Sequence, residues 1–404
     1  MSASADKSLR IAIATSGRFH VLDLARELDG LGHEVHFYSY VPRRRARKFG
    51  LPARCHVALL PWMAPCLALV VLLRRMVSTN AANMLFYRCI DRLVAWRLRP
   101  CDVFIGMSGI YLRSFEAARM RYGARLVVER GSVHIEAQKE ILDAVNELNP
   151  AMQSVDHAAV ARDSQAYALA DRIAVPSLHA KASFTERGFA EEKVFCNPYG
   201  VNLRMFTPGV RTLRDPKLIL FVGGWSFQKG VDVLVEAMRT LGERGFHLCH
   251  LGAVADAPLP NVPWFHSEGH VDQSALADWY RRAGCLVLPS RQEGLSLVQI
   301  QALACGCPVI GTTMSGARDL KRMLDGTPMV KVLNVGDSGA IVDAVTTMSV
   351  AGLSVNLDAA HRADLSWGAY ARRYEAMLVD LVSAQVALCN GVHRIEQPRQ
   401  RMIT

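Results

Sequence analysis

Nine short runs of apolar, largely β-branched residues punctuate this chain, and they are hydrophobic continuously rather than at every second position. Five come first, LRIAIATSG, HEVHFYSY, CDVFIGM, RLVVERG and DRIAVPS. Four follow, KLILFVGG, FHLCHLGA, GCLVLPS and CPVIGTT. A strand with one face in water alternates apolar and polar residues, whereas a continuous run belongs to a strand buried on both faces. Parallel sheets covered by helices satisfy that pattern, and longer helical stretches do separate the runs. Two such series predict an α/β chain with two doubly wound, Rossmann-like domains facing a central cleft. The stretch NPYGVNLRMFTPGV, residues 197–210, is rich in Pro, Gly and Asn and separates the series. The expected division is therefore residues 1–200, residues 201–367, a helix over 368–385 and a tail over 386–404.

A chain of 404 residues, half hydrophobic and 21% charged, suits two ordinary domains with large cores and argues against global disorder. The formal charge of +10 fits nucleotide phosphates, an anionic membrane surface or nucleic acid, and fits solubility alone equally well. Ten cysteines show no paired framework and no zinc spacing, and many stand in apolar runs, as in CLVLPS and HLCHLG. They point to a reducing, cytoplasmic setting without a disulfide scaffold. The beginning, MSASADKSLRIAIATSG, runs almost directly into a strand and shows no signal peptide.

The segment HVALLPWMAPCLALVVLLRR, residues 56–75, is apolar but broken by Pro61 and Pro65, so its uninterrupted part is too short to span a bilayer. Just before it lies PRRRARKFG, residues 42–50. A basic cluster beside an apolar stretch can dock on an anionic leaflet. A solvated basic loop followed by a core helix is the plainer alternative.

In a doubly wound domain, ligands are met by loops that follow strands. After the first strand, Gly17 permits a tight turn and close approach of a phosphate or acceptor, with His20 about one turn into the next helix. A single glycine is not a dinucleotide fingerprint, so no such cofactor is expected. The loop in LVVERGSVHIEAQ carries Arg130 and His134 toward the cleft, where a histidine can hydrogen-bond a substrate or shuttle a proton. In LILFVGGWSFQKGVDVL, Gly223 and Gly224 end a strand, and Lys229 sits at a helix N-terminus, a ready anion site.

The stretch PSRQEGLSLVQIQALACGCPVIGTT, residues 289–313, places Glu293 beside Gly294 at a loop-to-helix junction and Gln301 eight residues on. With a helix starting near Ser296, the N–H groups of Leu295, Ser296, Leu297 and Val298 can grip a phosphate. Eight helical residues advance about 12 Å, comparable to the span from a sugar to a ribose across a diphosphate. Glu293 then accepts from sugar hydroxyls and Gln301 meets the ribose diol.

Together these residues resemble the retaining glycosyltransferases of family 4, the group 1 glycosyltransferases of GT-B fold. The resemblance covers about residues 9–382. It is strongest in PSRQEGLSLVQIQALACGCPVI, which is similar to the family's E-x7-E region, then in FVGGWSFQKGVDVL, YGVNLRMFTP, ADRIAVPS and ERGSVHI. LSWGAYARRYEAML looks like the helix that crosses back to the first domain. The resemblance implies transfer of a hexose from a nucleotide-diphosphate sugar to an acceptor hydroxyl, with retention and without cofactor or catalytic metal. It implies catalytic roles for His134, Glu293 and Lys229; the candidate donor contacts are Gly17, Gly224, Lys229, Val271, Glu293, Ser296, Leu297, Val298 and Gln301, and the candidate acceptor-side residues are His20 and Arg130. The expected partners are a nucleotide sugar, a glycan or lipid-linked acceptor and an anionic membrane surface, not nucleic acid.

Two positions depart from the pattern. Gln301 stands where the family has its second glutamate, and its amide hydrogen bonds lose charge assistance, about half their strength. Gly224 stands where the family has an arginine before the lysine, with Arg291 or Arg318 as possible substitutes. A non-catalytic nucleotide or glycan binder is therefore the second reading. An epimerase or hydrolase on the same fold is a third, and a dehydrogenase is the least supported.

Overall fold

The structure, a computed structural model, describes residues 8–17, 19–73, 79–148, 155–209, 214–351 and 357–395. By its internal contacts the chain forms two compact units, residues 1–129 with 165–172 and 371–404, and residues 130–164 with 173–370.

The first unit opens with β1 (Arg10–Ala14), α1 (Val21–Gly30), β2 (Glu34–Ser39), α2 (Arg43–Lys48), β3 (His56–Ala58), α3 (Leu60–Leu73) and α4 (Thr79–Arg97). It continues with β4 (Val103–Met107), α5 (Leu112–Tyr122) and β5 (Arg125–Glu129). After α6 (Ile135–Leu148) and α7 (His157–Leu169) come β6 (Arg172–Val175), α8 (Leu178–Thr185) and β7 (Val194–Cys196). The second sheet is built by β8 (Asp215–Val222), α9 (Val231–Glu243), β9 (His247–Leu251), β10 (Phe265–Gly269), α10 (Gln273–Arg282) and β11 (Ala283–Leu288). Its remaining elements are α11 (Leu297–Ala304), β12 (Val309–Thr312), α12 (Ala317–Met323), β13 (Val330–Leu333), α13 (Ser338–Ala351) and α14 (Ala359–Asp364). The long α15 (Trp367–Ile395) follows.

Both sheets are parallel, with strand orders β3-β2-β1-β4-β5-β6-β7 and β10-β9-β8-β11-β12-β13. The expected pair of parallel, helix-covered sheets is thus present. Central strands such as β1 and β11 are buried almost throughout, and that double burial is why their sequences run apolar. In α9 the buried residues Val231, Leu234, Met238 and Leu241 recur at helical spacing and pack on Ile219, Phe221 and Val287 of the sheet.

Among the described residues, four strands lie outside the nine runs, β3, β7, β10 and β13, and all four are sheet edges. An edge strand has a partner on one side only and tolerates polar or partly exposed residues. β10, FHSEG, has no buried residue at all. The helix α15 also continues past residue 385 to Ile395, further than the expected loss of periodicity; residues 396–404 lie outside the described region. Within 56–75 the chain makes the short strand β3 and then α3, with Pro65 inside the helix. Among the described residues, no helix is long and apolar enough to cross a membrane.

Candidate active site

In the second sheet the chain lays β8, β9 and β10 to one side and β11, β12 and β13 to the other, so its order reverses between β8 and β11. Loops leaving adjacent strands in opposite directions open a crevice at such a point. Lys229 belongs to the loop after β8, and Glu293 to the loop after β11. The Lys229 Nζ contacts the Glu293 carboxylate.

Both loops are held by glycines that no other residue replaces. Gly230 has φ +71° and caps α9, and a Cβ there would stand 2.1 Å from the Pro289 carbonyl oxygen at the end of β11. That close approach seats Lys229 against the neighbouring loop. Burial pulls the Lys229 ammonium down to about 8, while the adjacent carboxylate favours its charged form. A Cβ on Gly294 would lie 2.1 Å from the Gly131 carbonyl oxygen. The Glu293 loop therefore lies directly on the loop following β5, and the Gln292 amide also donates to the Ser132 hydroxyl.

The Gly223–Gly224 turn rests on a buried floor. The His250 Nε2 donates to the Gly223 carbonyl at 3.0 Å, and its Nδ1 lies 2.9 Å from the Ser267 hydroxyl. Trp225, fully buried, packs 5.1 Å from the His250 ring. A Cβ on Gly224 would meet nothing within 4 Å.

Ser296 caps α11 in extended conformation, as expected, and the helix begins at Leu297. The stretch from Glu293 to Gln301 is consequently half loop, since Gly294 and Leu295 precede the cap. The expected advance along eight helical residues is not what the chain makes. Gln301 is buried, and its carbonyl accepts from the Tyr280 hydroxyl at 3.3 Å. Arg291 does not replace the missing arginine: it pairs with both Asp232 oxygens at 2.6 and 2.7 Å and donates to the Phe227 carbonyl at 2.7 Å. Val271 is half-buried just past β10, at the far edge of the sheet from α11.

His134 is 3% exposed and precedes α6, where its Nδ1 accepts from the Glu136 N–H at 3.3 Å. Its ring lies 4.9 Å from Phe184 and 5.7 Å from Phe189, and burial with Arg187 and Arg130 nearby lowers it to about 4. Arg130 is occupied by Asp163 at 3.2 Å, Gln138 at 2.5 Å and the Val133 carbonyl at 2.9 Å. In the other unit, Gly17 follows β1, where the first sheet reverses order between β1 and β4. His20 stands at the start of α1, its Nε2 2.7 Å from Glu129, which also accepts from the Tyr374 hydroxyl at 2.8 Å.

The structure adds residues that sequence reasoning passed over. His179, 2.6 Å from the Glu293 carbonyl through Nε2, and Ser177, donating to the Gly294 carbonyl at 2.7 Å, hold the backbone of the Glu293 loop. Burial, with Arg318 nearby, lowers His179 to about 4, so it serves as a neutral donor. Asp319, buried, accepts from the Leu178 N–H at 2.9 Å and anchors the start of α8. For His179 and Ser177 the only signal was their place in PSLHAKASF, directly after a strand.

Residues 216–349 match the family described as Glycosyl transferases group 1. The D-inositol 3-phosphate glycosyltransferase of Xylanimonas cellulosilytica is 35% identical over 154 residues, 31% of this chain and 36% of that protein. The D-inositol 3-phosphate glycosyltransferase 1 of Catenulispora acidiphila is 28% identical over 231 residues, 50% of this chain and 55% of that protein. The chain thus spans between about a third and just over half the length of these curated relatives. Among solved structures, Anabaena HepE in complex with UDP and glucose aligns with a TM-score of 0.63 at 11% identity, over 92% of this chain and 99% of that one. Sucrose-phosphate synthase from Thermosynechococcus elongatus aligns at 0.58 and 16% identity, over 96% and 99%.

Proposed function

From a chain of GT-B fold whose resemblance to the group 1 glycosyltransferases is borne out over residues 216–349, we propose that it moves a hexose from a nucleotide-diphosphate sugar to an acceptor hydroxyl with retention. The observation that carries this reading is the meeting of Lys229 and Glu293 where the second sheet reverses order. As the bond from the sugar to the diphosphate breaks, its electron pair leaves with the phosphate. The Lys229 ammonium and the first N–H groups of α11 stabilise the charge that develops there. Glu293 accepts from hydroxyls of the transferred sugar. No metal or other cofactor has a step in this scheme. The acceptor oxygen bonds the anomeric carbon on the face that the diphosphate leaves, and its proton passes to the departing phosphate oxygen.

The acceptor in this reading is a glycan or a lipid-linked carrier, used in bacterial surface polysaccharide, lipid-linked oligosaccharide or glycolipid synthesis at the inner face of a membrane. Support comes from the basic, apolar first half of the chain. The relatives' names fix no acceptor for this protein.

Incubation with UDP-, GDP- and ADP-sugars, with and without membrane lipid extract, tests the proposal by release of free nucleoside diphosphate. Release from one donor, stimulated by the extract, is expected. Thermal stabilisation by a donor without release under any condition supports instead the non-catalytic binder, with Gly224 and Gln301 as its cause.

A further inference from the structure

The helix α3 is buried like an amphipathic helix but is not composed like one. Met63 and Val70 are buried and Leu60, Cys66, Leu67 and Leu73 half-buried, a stripe at helical spacing that faces α4. The opposite side comprises Pro61, Trp62, Ala64, Pro65, Ala68, Leu69, Val71 and Leu72, and all eight are exposed. On a helix that meets water these positions are polar; here none carries a hydrogen-bonding side chain except the indole of Trp62. Trp62 is 54% exposed, Leu69 46%, Val71 65% and Leu72 59%. Trp96, 66% exposed at the end of α4, lies 5.7 Å from the Trp62 ring, with the Arg97 guanidinium 5.5 and 5.9 Å from the two rings.

Charge singles out the same region. Residues 42–100 hold 12 of the chain's 47 lysines and arginines but one of its 37 acids, a local balance of +11 against +10 for the whole protein. That acid, Asp91, is buried and accepts from the Arg113 and Ser114 N–H groups at the start of α5. All of the chain's positive excess therefore belongs to the segment that carries the uncovered apolar face.

We propose that the exposed side of α3, with the Trp62–Trp96–Arg97 cluster at its end and the cation-rich helices α2 and α4 flanking it in the chain, lies in the headgroup region of an anionic lipid bilayer. This rests on the membrane-facing acceptor reading above but requires no turnover. Fourteen residues make about 21 Å of helix, too short to cross and long enough to lie flat. Indoles prefer the boundary between hydrocarbon and headgroups, and arginine keeps its charge in the wet layer while its stem covers apolar surface. The cations add attraction of about 1 kcal/mol each where they reach the anionic surface. Because β1, β2 and β3 are parallel, α3 leaves the same edge of the sheet as the loop that carries Gly17 and leads to His20. Docking through α3 brings a lipid-borne acceptor to that edge.

The test is co-sedimentation of the full chain with vesicles of phosphatidylcholine alone or with one third phosphatidylglycerol, for the natural protein and for Leu69→Gln/Leu72→Gln, whose side chains already face water. The natural protein is expected on the anionic vesicles and much less on the neutral ones, with tryptophan emission shifting to the blue. The double variant is expected to bind roughly 30-fold more weakly. Its thermal midpoint and its nucleotide release on a water-soluble acceptor should be unchanged, so loss of docking is distinguished from loss of fold or transfer. Equal partitioning of the two proteins overturns the proposal. So does a concentration-dependent dimer of the natural protein that the double variant abolishes, since the face would then be covered by a second copy. An inactive protein that still docks in this way leaves the surface standing and removes the transferase reading.

Discussion

The crevice between β8 and β11 and the α3–α4 surface are both candidate functional regions, yet they are encoded in opposite ways. Around Lys229 and Glu293 the decisive residues have almost no side chain: Gly230 and Gly294 let two loops approach other backbone to distances that a methyl group forbids. The chemistry there depends on a few positions held in place. Along α3 no single residue decides anything, and composition over dozens of residues does. A site that must position atoms is written in spacing, whereas a surface that must be wetted by lipid is written in averages. Substitutions should therefore be catastrophic singly in the first region and cumulative in the second.

The sharpest break of that contrast is Lys229→Ala, expected to lower turnover about 10³-fold by removing leaving-group stabilisation while leaving the melting temperature nearly unchanged. Steady-state rates at saturating donor measure it, and normal turnover would take Lys229 out of the site. Its pH dependence sharpens the point. With burial holding the ammonium near 8, the free protein loses this charge as pH rises through that value, so kcat/KM should fall on the alkaline side. Bound diphosphate favours the charged form, so the limb of kcat should lie at higher pH. Lys229→Arg should abolish both limbs, because guanidinium does not titrate there.

Next comes Gly294→Ala. Its methyl group must displace the Gly131 carbonyl or push the Glu293 loop away, and a shift of about 1 Å in a positioning group costs about 10²-fold in kcat. A smaller loss, about tenfold, is expected of His179→Gln, which keeps a donor near the Glu293 carbonyl with poorer geometry. The same variant reports on stability. The native protein holds His179 near 4 while the unfolded chain titrates near 6.5, so the unfolded state binds the extra proton between those values. Stability should rise with pH from 4 to 6.5, and His179→Gln should flatten part of that slope in thermal melts. An unaltered slope would show that the imidazole is not held neutral in the fold.

What the sequence discloses follows the same division. Central strands are legible because burial on both faces leaves them no choice of residue type, and the four edge strands are hidden because each is short or partly exposed and has a partner strand on one side only. Glu293, Lys229 and Ser296 are legible through their places after strands and before helices. His179 and Ser177 are not, because they act on the Glu293 loop from more than 110 residues away and only tertiary packing brings them there. For His134 and Arg130, a post-strand loop suggests an open catalytic position, while the fold packs one against two phenylalanines and ties the other to Asp163 and Gln138.

The mildest change tests whether the crevice has room for a charge it lacks. Under the proposed transferase reading, and with Arg291 committed to Asp232, a second phosphate cation would stand at position 224. Its neighbour Gly223 has φ +141°, where a side chain is strained, and its carbonyl is held by His250, so position 223 cannot serve. Gly224 is not among the positive-φ residues, and a Cβ there enters open space, so Gly224→Arg should fold without penalty. Its guanidinium can grip a phosphate with two parallel hydrogen bonds, and a net gain near 1.4 kcal/mol lowers the donor KM about tenfold. Titration calorimetry with the cognate nucleoside diphosphate measures it directly. Tighter binding with faster turnover would mean that glycine at 224 only weakens an otherwise complete transferase. Tighter binding without turnover would place the defect at Gln301, whose carbonyl already serves Tyr280, and an unchanged affinity would show that the diphosphate does not pass beside Gly224 at all.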